Sequence, residues 1–317
     1  MMEMFRVLKP GPQTTVQDLG RYGYLQYGVP PCGVLDQYSS RAANLLAGNS
    51  GNEALLEITF QGPRLEVLGR AMLAVAGADM EVTLNGEARP MWTSFPVKPG
   101  DILQIGQAKK GLRAYLAVTG GIDVPLVMGS RSTYSAAGFG GYQGRALARG
   151  DILARGEGTE GKAGLSCPAE FIPPLTSETV LRAIPGPQDY MFEEGLATFF
   201  GSTYEVTPHS NRMGYRLEGP AISLCPGMPQ SIISEPSLPG GVQVPADGNP
   251  IILLLEQTTG GYAKIATLIS TDICRVAQAR PGDRIIFARV ALEEAHGLFM
   301  ERESRLKKLA GKLRKIA

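Results

Sequence analysis

The sequence predicts a mainly β protein made of two related halves, each a barrel or sandwich, with a few helices. Three features carry that prediction. Among 317 residues, 40 are glycine and 23 are proline, which implies many turns and therefore many short strands. A Gly-Asp-Ile-Leu unit that turns into a strand stands at Gly100-Asp101-Ile102-Leu103 and Gly150-Asp151-Ile152-Leu153, and is echoed by Gly282-Asp283-Arg284-Ile285. The tetrapeptide Pro10-Gly11-Pro12-Gln13 recurs as Pro185-Gly186-Pro187-Gln188, each copy following a short apolar strand and opening one half of the chain.

In order, Phe5-Arg6-Val7-Leu8 reads as the first strand, and the first Pro-Gly-Pro-Gln turns the chain into a segment dense in polar groups, Thr14 to Arg21. Gly23, Gly28, Pro30, Pro31 and Gly33 keep the following stretch irregular up to Asp36. Asp36 is expected to cap a helix running to about Ala47, with Tyr38, Ala42, Leu45 and Leu46 on one face and Gly48-Asn49 as the stop. From Ala54 to Leu153 the pattern is β: Leu55 to Phe60, Met72 to Val75, a hairpin turn at Asn85-Gly86, and alternation of Leu112, Ala114, Leu116 and Val118 with Arg113, Tyr115 and Ala117. The Gly-rich, charged stretch from Arg155 to Ala169 is read as the linker. The second half runs from Val180-Leu181-Arg182-Ala183-Ile184 to Ile285-Ile286-Phe287. Beyond it, Leu292 to Ile316 is expected to be a solvated amphipathic helix, with Glu293 and Glu294 early and Lys307, Lys308, Lys312, Arg314 and Lys315 late, as the helix dipole favours. The expected divisions are therefore residues 1–158, 159–290 and 291–317.

Composition excludes several classes of function. A net charge of +1 gives no electrostatic case for nucleic acid. The N-terminus has no apolar h-region and no apolar run approaches ~18 residues, so the expectation is a cytoplasmic protein with reduced thiols and no membrane partner. The four cysteines form no CxxC pair and there are two histidines, so no metal site is expected. No Walker loop occurs. Gly138-Phe139-Gly140-Gly141-Tyr142-Gln143-Gly144 fails the dinucleotide pattern at Gln143 and reads as a mobile loop. No Gly-x-Ser-x-Gly elbow is present, and a Ser-His-Asp triad would have to use His209 or His296.

Three corners carry groups capable of chemistry. After the aliphatic run Ile251 to Leu255, the stretch Gln257-Thr258-Thr259-Gly260-Gly261 offers an amide, two hydroxyls and backbone N–H groups without a Cβ in the way, with Lys264 just beyond. It suits an anion or a developing oxyanion, or serves as an ordinary strand-to-turn junction. Arg212, between Ser210-Asn211 and Met213-Gly214, can clamp a carboxylate or pair with a structural Asp or Glu. Gln17-Asp18 with Gly20-Arg21 is either a reactive corner or a satisfied buried turn.

Taken together, Thr14-Thr15-Val16-Gln17-Asp18, Gly20-Arg21, Gly23-Tyr24, Gly28-Val29-Pro30, Asp36, Ala43-Asn44, Ala47-Gly48-Asn49, Gly129-Ser130-Arg131-Ser132-Thr133, Ser210-Asn211-Arg212-Met213-Gly214-Tyr215-Arg216-Leu217 and Gln257-Thr258-Thr259-Gly260-Gly261-Tyr262 occur in an order that resembles one family. That family comprises the C subunit of 5-oxoprolinase, allophanate hydrolase subunit 2, the KipI antagonist (KipA) and the carboxyltransferase domain of urea carboxylase. The resemblance covers nearly the whole chain and implies two cyclophilin-like β-barrel domains whose polar loops converge on one cleft. Two departures stand out. Relatives carry Ser-Asp-Arg where this chain has Ser210-Asn211-Arg212, and Asp-Arg-Gln-Thr-Thr-Gly-Gly-Tyr-Pro where this chain has Leu255-Glu256 before Gln257 and Ala263 in place of the proline.

The resemblance implies one component of an ATP-dependent amide or lactam hydrolase of the 5-oxoprolinase type, acting with a paralogous, KipI-like partner and a third protein. Arg212 or Arg21 would hold the substrate carboxylate and Lys264 the phosphoryl or oxyanion charge. Gln257, Thr258 and the Gly260-Gly261 N–H groups would orient the carbonyl, with Gln17, Ser210, Asn211 and Thr259 beside them. Asp18 or Asp36 would take a proton, or Glu256 if the missing aspartate was the base. On this reading Arg212→Ala is expected to cost activity with little loss of fold. Two other roles follow from the same resemblance: a biotin-dependent carboxyltransferase acting on a urea-like amide, with biotin supplied in trans because no Met-Lys-Met occurs here, and a binding antagonist of a kinase inhibitor.

Overall fold

Strand pairing, not helix packing, organises the chain. The structure, a computed structural model, describes residues 2–158 and 164–315. The centre of the expected linker, at 159–163, and Ile316 at the expected end of the terminal helix lie outside the described residues. Two compact units form. The first comprises Met1–Arg21, Cys32–Leu175 and Ser304–Ala317, and the second Tyr22–Pro31 and Thr176–Glu303.

In the first unit, a ten-stranded sheet curls into a nearly closed barrel. Its spine is the antiparallel pair Ala71–Leu84 and Ile102–Val118, strands of 14 and 17 residues whose inward side chains are buried along almost their whole length. These strands are longer than the runs legible as Met72 to Val75 and Leu112 to Val118, because the exposed Asp79 and Glu81 of the first strand and Gly106, Lys109, Lys110 and Gly111 of the second interrupt the apolar alternation while the ladder continues. The Asn85-Gly86 hairpin forms as expected, with φ of 56° and 85° at the two residues, the left-handed pair that a two-residue turn of this twist requires.

The second unit is a closed barrel of seven strands. Antiparallel neighbours run from Glu178–Pro185 through Lys264–Leu268, Gly241–Gln243, Ile251–Leu253, Gly214–Glu218 and Thr203–Val206 to Arg284–Arg289, and a parallel pairing of Arg284–Arg289 with Glu178–Pro185 closes it. Phe199, Tyr204 and Phe287 fill part of its interior, Phe199 stacking on Phe287 at 4.2 Å.

The repeated Gly-Asp unit is one turn built three times. Asp101, Asp151 and Asp283 each donate a backbone N–H to the carbonyl three residues back, on Lys98, Ala148 and Arg280, at 3.0–3.2 Å. Each carboxylate in turn accepts from the backbone N–H of that same residue at 2.7–2.8 Å. Two further backbone bonds hook the three turns onto Val67, Val7 and Val206 respectively. The motif is therefore a strand starter whose aspartate replaces a missing ladder partner.

Helix Gln37–Leu46 is capped by Asp36 and ends at Ala47, as the sequence predicts. It is more deeply buried than one apolar stripe would suggest, because its polar residues have local acceptors. Asn44 donates to the Glu53 carbonyl, and Asn49 donates to Asn44 and to the Val118 carbonyl. The terminal helix spans Leu292–Lys312. It is not wholly solvated: Leu306 and Leu309 are buried, and Leu309 joins a first-unit core cluster with Trp92, Tyr115 and Phe171. Among the described residues, no helix is long and apolar enough to cross a membrane.

Asp151 provides a pH test of the repeated turn. Both of its oxygens accept from Arg145, at 2.7 and 2.9 Å, and that pairing holds its pKa below the ordinary carboxylate value. A depressed pKa stabilises the fold above the unfolded value of about 3.9 and ceases to do so as pH falls through the folded value. Asp151→Asn is expected to lower the melting temperature by about 2–4 °C at pH 7, with the gap from wild type closing as thermal scans are taken below pH ~3.9.

Candidate functional site

The first corner begins where strand Gln13–Gln17 ends against Leu55–Thr59. That pairing buries Gln17 completely, and its amide donates to Thr15 Oγ1 and the Thr133 carbonyl while accepting from Gly33 N–H. Asp18 follows, and its carboxylate is filled from within the protein. Oδ1 accepts from Gly20 N–H and from the Ser130 and Ser132 hydroxyls, and Oδ2 accepts from Arg131 N–H at 2.6 Å. Ser132 Oγ in turn accepts from Asp18 N–H. The structure thus makes Asp18 the organiser of the loop Ser130-Arg131-Ser132-Thr133. All of its neighbours there are donors, so its oxygens are already engaged within the protein.

Arg21 is 2% exposed. Nη2 donates to the Ser132 carbonyl, Nε lies 3.5 Å from the Val127 carbonyl, and the guanidinium sits 5.1 Å from the centre of the Phe139 ring. Nη1 is buried without a protein acceptor among the described residues. Val127, Phe139 and Gly140 also line a cavity of about 480 Å³. The glycine-rich stretch read as a mobile loop is a packed turn. Tyr134 and Phe139 meet edge to face at 5.5 Å, and Gly144 N–H bonds the Gly140 carbonyl. Gly140 has to lack a Cβ, which would fall 2.1 Å from the Ser132 carbonyl and 2.7 Å from Arg21 Nη2.

Asp36 belongs to a separate buried network. Its carboxylate accepts from the N–H and hydroxyl of Ser39, while its own N–H donates to Tyr115 Oη, which donates onward to Glu57. Arg113 lies 3.8 Å from Glu57. Burial, followed by the Glu57 charge, pushes the Tyr115 phenol well above its ordinary pKa, so it stays a neutral donor. Asp36 is a helix cap here, and its carboxylate faces its own first turn.

In the second unit, Arg212 Nε donates to Glu256 Oε1 at 2.5 Å, with both side chains buried. This is the structural pairing that the sequence left open, and it engages both the anticipated carboxylate clamp and the anticipated substitute base. Arg212→Ala is therefore not a neutral probe of activity, because it would leave Glu256 buried without its cation at a cost of about 3–5 kcal/mol. Ser210 and Asn211 hold the turn into strand Gly214–Glu218: Ser210 Oγ accepts from Arg216 N–H, and Asn211 Oδ1 accepts from Met213 N–H at 2.8 Å.

Around Thr258 the sequence located the corner but missed most of its chemistry. Thr259–Gly260 pairs with Glu235–Pro236, Ser237 N–H bonds the Thr258 carbonyl, Ile232 N–H bonds that of Gly261, and the Gln257 amide closes on the Thr259 carbonyl. Gly260 leaves room for Gln243, since a Cβ there would fall 2.2 Å from Gln243 Nε2. Gln243 lies opposite Lys264 on the neighbouring strand, so both side chains leave the same face of the sheet. Lys264 is 7% exposed, and its ammonium donates to Glu235, which also accepts from Gln188 Nε2. The hydrogen bond from Lys264 holds the Glu235 carboxyl below its ordinary pKa. Gln188 also clamps the Lys264 backbone, accepting from its N–H at 3.0 Å. Gln243 Nε2 and Ser237 Oγ are buried without a protein partner among the described residues. Gln188 was visible in advance as the end of the repeated Pro-Gly-Pro-Gln, and Ser130 and Ser132 as part of a family segment without a role. Glu235, Ser237 and Gln243 lie in an irregular stretch and a three-residue strand that gave no signal. Among the described residues, no group of three or more His, Cys, Asp or Glu is placed to hold a metal ion.

Two barrel-forming units, each with a buried polar corner that keeps unpartnered donors, define a tandem β-barrel protein. The model of the carboxyltransferase domain, subdomains A and B, matches residues 27–289, and the chain belongs to that family. It is 39% identical to the C subunit of 5-oxoprolinase from Escherichia coli strain K12, over 98% of this chain and 99% of the relative. It is 34% identical to urea amidolyase of Saccharomyces cerevisiae, over 97% of this chain but 18% of that protein. Among solved structures, the Kluyveromyces lactis urea carboxylase superposes with a TM-score of 0.92 at 32% identity, covering 99% of this chain and 30% of the other.

Asp18→Asn would turn one acceptor oxygen into a donor facing other donors. It is expected to cost about 3 kcal/mol of first-unit stability, read as a lower urea midpoint at unchanged slope.

Proposed function

We propose that this chain is one component of an ATP-dependent amide or lactam hydrolase of the 5-oxoprolinase type, working in the cytoplasm with a paralogous, KipI-like partner and a third protein. The observation that carries this reading is the end-to-end correspondence with a protein named as the C subunit of 5-oxoprolinase, 98% of one chain against 99% of the other. The geometry agrees in being rich in donors and poor in bases. Asp18 and Asp36 have their carboxylates occupied by donors, Glu256 is paired with Arg212, and Glu235 is held ionised by Lys264 and is correspondingly a weak base. The proton acceptor is therefore assigned to a partner protein.

The contribution of this chain is to hold and polarise the amide. Gln243 Nε2 and the Ser237 hydroxyl donate to the carbonyl oxygen, and the Lys264 ammonium, positioned by Glu235 and Gln188, opposes charge that develops there. The first corner does not fit as a nucleotide cradle, because the loop Ser130 to Thr133 commits its hydroxyls and an amide to Asp18. ATP use is placed in the assembled complex, where it activates a resonance-stabilised lactam.

The likeness to urea carboxylase favours one second reading, transfer of a carboxyl group to a urea-like amide with biotin carried by a partner. Co-expression with the products of neighbouring genes, assayed for glutamate released from 5-oxoproline and ATP, separates the two. Release is expected from the complex and almost none from the isolated chain. A complex that instead carboxylates urea in a biotin-dependent way would establish the second reading. Gln243→Leu is expected to lower kcat/KM of the complex by about 10²–10³ with assembly intact by size-exclusion chromatography.

A further inference from the structure

Phe60 holds a backbone conformation that its side chain disfavours. Its φ of 68° lies in the left-handed region, where a bulky residue is an outlier and glycine the ordinary occupant. Hydrogen bonds on both sides impose that conformation: the Phe60 N–H donates to the Leu112 carbonyl at 2.8 Å, and the Phe60 carbonyl accepts from Ala108 N–H at 2.7 Å. The ring is not packed into the core in return. Phe60 is 42% exposed and lines a first-unit cavity of about 490 Å³, a volume suited to a small organic ligand. Strain kept where glycine would relieve it points to a use for the ring. The first Pro-Gly-Pro-Gln turn brings Pro12 and Gln13 into the same wall, and the Gln13 amide has no hydrogen-bond partner among the described residues. Arg145, the charged residue of the wall, is matched by Asp151, so the lining carries no uncompensated charge.

We propose that this cavity binds the base of an adenine nucleotide, stacked on Phe60 and read on its edge by the Gln13 amide. The choice of ATP rests on the reading above; the site gives this chain a part in holding it. An aromatic ring is a stacking platform for a flat heterocycle, and a carboxamide presents a donor and an acceptor side by side, which is what the edge of adenine pairs with. A lining without net charge selects the base rather than the phosphates. The phosphates have cations nearby: Lys109 and Lys110 occupy the interval of strand Ile102–Val118 between the two residues that bond the Phe60 backbone. Both are exposed, and neither has an acid within ion-pair distance among the described residues. An apolar side chain of a partner protein would cover the ring but leave the Gln13 amide and both lysines unused, so the nucleotide fits the whole set of groups and the side chain only one of them.

The test is nucleotide binding by the full-length chain, which needs no turnover. Calorimetric titration at constant ionic strength compares ATP, adenosine and inorganic tripolyphosphate. ATP is expected to bind saturably, adenosine more weakly, and tripolyphosphate not at all. Phe60→Gly is expected to weaken ATP binding on the order of 10- to 100-fold with a melting temperature equal to or above that of wild type, because glycine accepts the backbone conformation. Phe60→Tyr keeps the ring and is expected to bind as wild type does. Lys109→Ala combined with Lys110→Ala is expected to bring ATP down to the affinity of adenosine and to leave adenosine unchanged. Absence of saturable ATP binding, tripolyphosphate bound as tightly as ATP, or wild-type affinity in Phe60→Gly would overturn the proposal. So would a Phe60→Gly chain that binds ATP normally but no longer assembles with its partners, which would make the ring a protein contact. Should Phe60→Gly fail to fold, the wild-type ligand series decides together with Gln13→Leu, expected to bind ATP about tenfold more weakly. The two claims fail separately: ATP bound through Phe60 in a complex that carboxylates urea and releases no glutamate would remove the hydrolase reading and leave this site, while ATP-dependent glutamate release with a KM for ATP unmoved by Phe60→Gly would remove the site and leave the hydrolase.

Discussion

The first unit depends on a single carboxylate filled with donors. Asp18 stands at the end of a strand and gathers hydroxyls and backbone N–H groups from a loop more than a hundred residues away. Those bonds fix the direction of the Ser132 carbonyl, which then holds Arg21, and Arg21 in turn lies on Phe139 of the glycine-rich turn. The order of dependence is strand end, loop, cation, turn. A side chain that looks reactive in sequence is here the reason another side chain is held in place.

The second unit reaches a comparable result by other means. Among the described residues, its buried cations are matched by acids, and the unmatched groups are neutral: the Gln243 amide and the Ser237 and Thr207 hydroxyls. A neutral donor costs less to bury than a charge, and it discriminates by hydrogen-bond direction rather than by attraction at a distance. The unmatched donor described in one corner is thus a charged guanidinium, and those described in the other are neutral.

Much of this was legible in the residues. The Asp36 cap, the Asn85-Gly86 hairpin and the repeated Gly-Asp turns follow from local chemistry that needs no distant partner, and all three appear where the sequence put them. What was not legible was which polar groups are already engaged. Asp18, Arg212 and Lys264 looked alike as candidate reactive groups. Their difference is made by Ser130, Glu256 and Glu235, brought in from 112, 44 and 29 residues away. Strand runs were recognised short for a related reason, since pairing sustains a strand through residues with no preference of their own. The terminal helix was read as solvated because its abundant charge masks two leucines that pack inward.

That helix has a consequence for how the polypeptide can be divided. Leu309 packs in a cluster otherwise assembled from residues up to Ile172 and from the neighbouring Leu313, so the face of the first sheet that carries helix Gln37–Leu46 takes a side chain from beyond the whole second barrel in sequence. Neither unit is contiguous in sequence. Cutting the gene at the apparent linker would therefore not yield two self-sufficient pieces: the amino-terminal fragment would lack Leu309 from the cluster under helix Gln37–Leu46, and the carboxy-terminal one would lack the ten-residue segment Tyr22–Pro31 that it borrows from upstream.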